Sequence, residues 1–254
     1  MTSPQPIISI ISASFNCRET IENTILSIIP HLSNSCELIV IDGGSTDGTL
    51  EVIDTYKNYI SYFISEKDEG IYDAWNKGIT NARGNYITFI GMDDLLCSNF
   101  SSLYLKNLLQ HPEIDFWSSK MIIKNPHNIV YGHKWQWNSF KKNMNVVHPG
   151  SLHKKKLFEI YGLYDKGYKI AGDYEFLLRV SSNLKAGFID EPTVIFSLGG
   201  ISSKSSLNLA REIRQAKLST KARSTIMVNF EFVFRLFIYI YSFLKRNLPF
   251  SRIV

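Results

Sequence analysis

The sequence predicts an α/β protein with a doubly wound, mostly parallel sheet, flanking helices and a C-terminal helical extension. Three observations carry this prediction. Short all-apolar runs of strand length alternate with segments of helical spacing through the first 94 residues. Such β-α-β repetition implies parallel strands joined by right-handed crossovers. The last 50 residues then change character, becoming apolar, aromatic and basic.

Ile7–Ile11 is the first strand, apolar on both faces as in a parallel sheet, and it ends at Ser12-Ala13-Ser14. Thr20–Ile29 follows as a helix, with Ile21, Ile25, Ile28 and Ile29 on one face and Pro30 beyond. Leu38–Ile41 is the second strand and runs into Asp42-Gly43-Gly44. Ser45 and Asp47 are suited to cap the next helix, Thr49–Tyr56. Ile60–Ile64 is a strand, Tyr72–Ala82 a helix closed by Gly84, and Tyr86–Ile90 a strand ending at Gly91-Met92-Asp93-Asp94. The middle of the chain is less regular. Ile114–Lys124, Ile129–Trp137, Ala186–Ile189 and Thr193–Phe196 read as strands; Lys154–Tyr161, Asp173–Ser182 and Leu207–Lys221 read as helices. The expected division is a domain over residues 1–205 and a helical region over 206–254.

Composition bounds the function. A hydrophobic share of 44% with 20% charged residues is globular rather than disordered. The net charge of +5 suits anionic partners without choosing among them. Cys17, Cys36 and Cys97 are scattered, with neither metal-site spacing nor a disulfide pattern, which fits a reducing compartment. Met1-Thr-Ser-Pro-Gln-Pro leads straight into a strand without a basic segment and apolar core, so a cytoplasmic address is expected. Ile226–Leu244 is apolar on nearly all sides, interrupted by Asn229, Glu231 and Arg235 and followed by Lys245, Arg246 and Arg252. Internal charges at such positions favour a helix lying in a membrane interface over one spanning it.

In a doubly wound sheet, ligands bind outside the carboxyl ends of the strands. That topology gathers Ser12–Asn16, Asp42–Asp47 and Gly91–Asp94 on one edge. Asp93 and Asp94, free of ladder geometry, are suited to a hard divalent cation, which takes one or two carboxylates plus substrate phosphates. Read alone, the pair better fits a loop start or helix cap, where Asp is common. Asp42 fits either a hydrogen bond to a base or ribose, or a well-capped turn. His148, in His-Pro-Gly-Ser, fits an acceptor or diphosphate contact, or a structural role. Lys77, Arg83, Lys154, Lys155 and Lys156 suit phosphates or plain solvated surface. Trp75, Trp135 and Trp137 suit sugar stacking or core packing.

Taken together, IISIISASFN (Ile7–Asn16), DGGSTDG (Asp42–Gly48), EKDEGIYDAWNKG (Glu66–Gly78) and GMDD (Gly91–Asp94) resemble the family 2 glycosyltransferases of GT-A fold, of the bacterial O-antigen and exopolysaccharide assembly type. The resemblance is specific over residues 6–96, looser through His148-Pro-Gly-Ser and Ala171-Gly-Asp-Tyr-Glu, and absent from the last 50 residues. It implies an inverting transfer from a nucleotide-diphosphate sugar, a UDP-sugar foremost, with Mn2+ or Mg2+. It places Ser14 and Phe15 against the nucleotide, Asp42 on the base, Asp93 on the ribose, and Asp94 on the metal with His148 nearby. Asp173 takes the place of the general base, at a helix start where the dipole favours negative charge. Gly199–Ser206, small and polar, reads either as a plain surface loop or as a lid with Lys204 near the diphosphate. Two positions depart from the family pattern: Met92 stands where an acid is usual, and Gly172 precedes Asp173 where Glu is usual.

The expected acceptor is a lipid-diphosphate-linked saccharide of undecaprenyl type, met by a peripheral enzyme at the inner face of the cell membrane. No nucleic-acid pattern is present, and a homo-oligomer is compatible with the sequence. The alternatives are a metal-dependent nucleotidyltransferase, which would need a Gly-rich basic loop after strand one, and an inactive nucleotide-sugar-binding scaffold.

Overall fold

The computed structural model describes residues 5–33, 35–198 and 207–247. The chain alternates as the repeat requires: β1 (Ile8–Ser14), α1 (Arg18–Ile28), β2 (Cys36–Asp42), α2 (Thr49–Thr55), β3 (Tyr62–Ser65), α3 (Ile71–Asn81) and β4 (Tyr86–Gly91). Then follow β5 (Leu95–Leu96), α4 (Phe100–Gln110), β6 (Phe116–Lys124), β7 (Ile129–Tyr131), α5 (Trp137–Phe140), β8 (Leu152–Lys154), α6 (Lys155–Tyr161) and α7 (Gly172–Val180). The remaining elements are β9 (Ala186–Ser197), α8 (Leu207–Ser219) and α9 (Thr225–Asn247).

Among the described residues the strands form one sheet in the order β3-β2-β1-β4-β8-β6-β9-β5, with β7 paired to β6. β3, β2, β1 and β4 are mutually parallel; β8 joins β4 antiparallel and carries the sheet over to β6 and β9. Register decides where the polar strand ends meet. Ser14 pairs with Asp42, Asp42 with Ser65, and Ala13 with Gly91. The three clusters thus share one edge of the sheet.

Strand alternation splits the core in two. Ile11, Ile39, Ile41, Ile87 and Phe89 face α3, α6 and α7. Ile8, Ile10, Leu38, Val40 and Ile90 face α1, α2 and α4. Each fully buried isoleucine contributes roughly 1.5–3 kcal/mol, so the strand ends rest on a stiff platform.

Several elements differ from the sequence expectation, the short strands β5 and β8 among them. α4 was not marked by its spacing: Phe100, Tyr104 and Leu108 form its buried stripe, but Leu109 on another face is 80% exposed and blurs the period. The strand expected over Ile129–Trp137 stops at Tyr131, and Trp137 instead begins α5. The two strands expected on either side of Pro192 are one, β9, whose register against β6 slips between Ser119 and Met121 to absorb the proline.

α8 and α9 dock on the domain. Glu212 of α8 accepts hydrogen bonds from the backbone N–H groups of Lys169, Ile170 and Ala171. Lys217 donates to the carbonyl of Lys142.

Candidate active site

Asp42 is fully buried at the end of β2, and five donors hold its carboxylate. Ser14 Oγ and Ser45 Oγ reach Oδ1 at 2.9 and 2.6 Å; Gly44 N, Ser45 N and Ser65 Oγ reach Oδ2 at 3.0, 2.8 and 2.7 Å. Burial pushes this carboxyl up, and the hydrogen bonds from Ser45, Ser65 and Ser14 outweigh it and hold the group below its ordinary range. A carboxylate has about four lone-pair sites, so Asp42 is saturated. It ties the ends of β1, β2 and β3 together and has no free face for the base contact expected of it. Ser14 is likewise committed, 3% exposed with its hydroxyl on Asp42.

The surface above this knot is made by other residues. Phe15 is 63% exposed. A Cβ added to Gly43 would lie 2.6 Å from Asp68 Oδ2 and 3.3 Å from the Phe15 ring. Asp68 therefore leans over the bare glycine beside an exposed aromatic face, its other oxygen held by Gly70 N at 2.9 Å. The turn below is interlocked with the start of α1. Asn16 (φ +47°) receives Thr46 N on its side chain, Cys17 N donates to Thr49 Oγ1, and Arg18 N donates to Asp47. The bonds from Cys17 N and Arg18 N satisfy donors at the start of α1 that no local cap serves.

Asp93 and Asp94 follow β4. Both converge over Gly91: a Cβ there would lie 2.7 Å from Asp93 Oδ1 and 3.2 Å from Asp94 Oδ2. Asp94 is 3% exposed, and its Oδ1 accepts from Ser197 N of β9 at 2.9 Å. Ser197 Oγ donates to Asp93 O at 2.5 Å, and Thr24 Oγ1 to Asp94 O at 2.8 Å. Burial raises Asp93, and burial reinforced by Asp93 pushes Asp94 up to about 7. Two crowded, underpartnered carboxylates over a bare glycine fit a hard divalent cation. Met92, in the usual acidic position, is buried in the core. Among the described residues no three His, Cys, Asp or Glu side chains stand together as a metal cage. A cation on this pair would take the rest of its ligands from a diphosphate and water, as Mg2+ usually does.

Asp173 lies in the first turn of α7, 17% exposed. Its Oδ1 accepts from Tyr174 N at 2.8 Å and lies 3.2 Å from Tyr72 OH. That hydroxyl is also 2.8 Å from Ile170 O, so its one proton serves one partner at a time. Oδ2 lies 3.9 Å from His148 Nδ1. Gly172 explains itself here: a Cβ would meet the Tyr72 ring at 2.8 Å. The glutamate usual at this position has no room beside Tyr72.

His148 is buried, and the structure brings it to Asp173 and Tyr164, whose hydroxyl is 3.2 Å from Nε2. It stacks against Trp75 and Phe89, at 5.2 and 5.6 Å between centroids, and those two rings are themselves in contact at 4.7 Å. Burial lowers its proton affinity, opposed by Asp173. Trp75, Trp135 and Trp137 are partly buried and engaged in aromatic packing. Lys77 is paired with Glu66 and Asp73, Arg83 with Glu37, Lys154 with Asp115, and Lys155 donates to Ala82 O. Lys204 and the expected lid lie outside the described residues. Sequence reasoning missed Asp68, Tyr72, Ser197 and Glu212 as site residues. Asp68 and Tyr72 lay inside EKDEGIYDAWNKG, whereas Ser197 and Glu212 carried no local signal.

The family model for glycosyl transferase family 2 matches residues 9–160. A PGL/p-HBAD biosynthesis glycosyltransferase of Mycobacterium bovis is 26% identical over 182 residues, covering 70% of this chain and 71% of that protein. Staphylococcus aureus TarS 1–349, solved with UDP, superposes with a TM-score of 0.70 at 15% identity, over 91% of this chain and 70% of that one. Mycobacterium tuberculosis glucosyl-3-phosphoglycerate synthase, solved with Mn2+, UDP and glucosyl-3-phosphoglycerate, gives 0.62 at 18% identity, over 85% and 80%. The chain belongs to glycosyl transferase family 2 and has the GT-A fold. It is a glycosyltransferase, which displaces both the nucleotidyltransferase and the inactive-scaffold readings.

Proposed function

We propose that this enzyme transfers a sugar from a UDP-sugar to a hydroxyl of a lipid-diphosphate-linked glycan, with inversion at the anomeric carbon. The observation that carries the reading is Asp173, held at a helix start on one oxygen with its other oxygen toward His148. Its neighbour Tyr72 lies in the first turn of α3, four residues beyond Asp68, which ties the base to the nucleotide surface.

The base of the donor stacks on Phe15, and Asp68, rather than the saturated Asp42, takes its polar edge. Asp93 and Asp94 would hold Mn2+ or Mg2+, which when bound would neutralise charge on the departing diphosphate. Asp173 accepts the proton of the acceptor hydroxyl as its oxygen attacks the anomeric carbon. The bond to the diphosphate oxygen breaks with its electron pair on the leaving group. A single displacement inverts the centre, through an oxocarbenium-like state as in glycoside hydrolysis. Tyr72 and His148 position Asp173, so the metal-ligand role expected for His148 passes to the diphosphate. Lys204 is placed at the diphosphate by the sequence alone. UDP in the TarS and synthase structures, and Mn2+ in the latter, support the donor and metal choices. The basic, aromatic C-terminus supports a lipid-linked acceptor and work at a membrane face.

The test is nucleoside diphosphate release from UDP- and GDP-sugars with a sugar-diphosphate-lipid acceptor, in Mn2+ or EDTA. Turnover of a UDP-sugar that EDTA abolishes is expected. Turnover of a GDP-sugar alone would remove the donor assignment, and unchanged rates in EDTA would remove the metal.

A further inference from the structure

Helix α9 is amphipathic, and its polar side is turned toward the protein. Asn229 accepts from Arg214 Nε at 2.9 Å. Glu231 is paired with Lys217, itself 1% exposed, at 2.7 Å, and with Arg223. Arg235 donates to Asn143 of the body. Val228 is buried beside them, and the Arg214 guanidinium lies over the Phe232 ring at 5.5 Å.

The opposite side is apolar and bare. Ile226, Phe230, Val233, Phe234, Phe237 and Tyr241 are 82%, 68%, 52%, 60%, 71% and 67% exposed. Their spacing of one, three or four residues makes one stripe, roughly 24 Å long at 1.5 Å per residue. A surface helix of an isolated domain normally turns such a stripe to the core. Here the ion pairs fix the rotation. Turning α9 over would leave Lys217 buried without its carboxylate, a strongly unfavourable exchange. The outward stripe is therefore built into the packing, and apolar patches of this continuity mark docking surfaces.

Charge selects the occupant. Residues 207–254 contain nine Lys and Arg against two acids; with Arg214, Lys217, Arg223, Arg235 and both acids engaged on the protein side, the sequence still supplies Arg211, Lys221, Lys245, Arg246 and Arg252, so the segment stays cationic. A second copy would bring one cationic segment against another. An anionic lipid surface is favoured by both the stripe and the charge. No helix among the described residues is long and apolar enough to cross a membrane.

We propose that α9 seats this enzyme on an anionic phospholipid bilayer, its Ile226–Tyr241 stripe in the headgroup–acyl boundary and its ion-paired side on the protein. This deepens the lipid-linked acceptor reading, and a binding assay without turnover keeps the two apart.

Flotation of the full chain with vesicles tests it, using phosphatidylcholine alone and phosphatidylcholine mixed with phosphatidylglycerol. The wild type is expected to bind the anionic vesicles at least roughly tenfold more tightly, a gap that closes as salt rises. Phe234→Glu with Phe237→Glu is expected to weaken that binding by roughly a hundredfold or more. The milder single variants Phe234→Ser and Phe237→Ser are expected to lower it in the same direction. Leu109→Glu, on the exposed face of α4, leaves it unchanged, and the melting temperatures of these surface variants stay near the wild type. Wild-type protein that floats with neither vesicle overturns the proposal, as do Phe234 and Phe237 variants that bind like wild type. A wild-type dimer that the double variant converts to monomer, with no flotation by either, assigns the stripe to a second copy and also overturns it.

Discussion

Asp94→Asn is expected to make the metal-free protein more stable at neutral pH while removing its metal site. The carboxyl is 3% exposed and burial has pushed it from 3.8 to about 7. Each tenfold change in proton affinity corresponds to about 1.36 kcal/mol, so the ionised group costs the apo fold up to about 4 kcal/mol at pH 8. The sign follows from proton binding. The folded state holds its proton to higher pH than the unfolded state, so this group's contribution to stability falls as pH rises from about 4 to about 7 and is flat above. Asparagine keeps an acceptor for Ser197 N and carries no charge. After allowing for an unpaired amide N–H, the gain is about 1–3 kcal/mol. Urea denaturation in EDTA at pH 5 to 8.5 measures the effect. Mn2+ titration of wild type should show affinity rising with pH up to about 7, because the metal needs the ionised form. A variant less stable than wild type at pH 8 in EDTA would refute the reasoning, as would wild-type Mn2+ affinity that does not change with pH.

Four further outcomes are expected. Phe15→Ala should raise KM for the nucleotide sugar by roughly tenfold with stability unchanged, since the ring is exposed; steady-state kinetics and a melting curve check it. Gly172→Ala should push the Tyr72 ring off Asp173, lowering kcat and costing about 1–3 kcal/mol, read by kinetics and denaturation. Glu212→Ala should free three backbone N–H groups before α7 and cost about 1–3 kcal/mol, with kcat falling more than KM changes. Asp42→Asn should destabilise by about 2–4 kcal/mol, because an amide nitrogen would face donors that now meet an acceptor.

The first half of the fold was legible because each element announces itself locally. Ile8, Ile10 and Ile11 are buried on both faces, and Ile21, Ile25 and Ile28 share one side of a helix. The convergence of Ser14, Asp42 and Gly91 followed from topology alone, and the register confirms it. Roles within the site were harder to read. Asp42 looks like a ligand contact in sequence, but three serines from different elements consume it, and only register brings them together. Asp68 becomes prominent because Gly43 lacks a side chain, a relation between residues 25 apart. Likewise, the inward face of α9 was invisible to periodicity, since Glu231 and Arg235 read as interruptions until Lys217 and Asn143 appear opposite them.

The most direct test of the account is Asp173→Asn, with turnover and UDP affinity measured on the same folded protein. The account predicts a fall in turnover of about 10²–10⁴ at unchanged UDP affinity, because Asp173 acts on the acceptor hydroxyl and holds nothing of the nucleotide. Turnover within a few-fold of wild type, or loss of UDP binding together with activity, would contradict it.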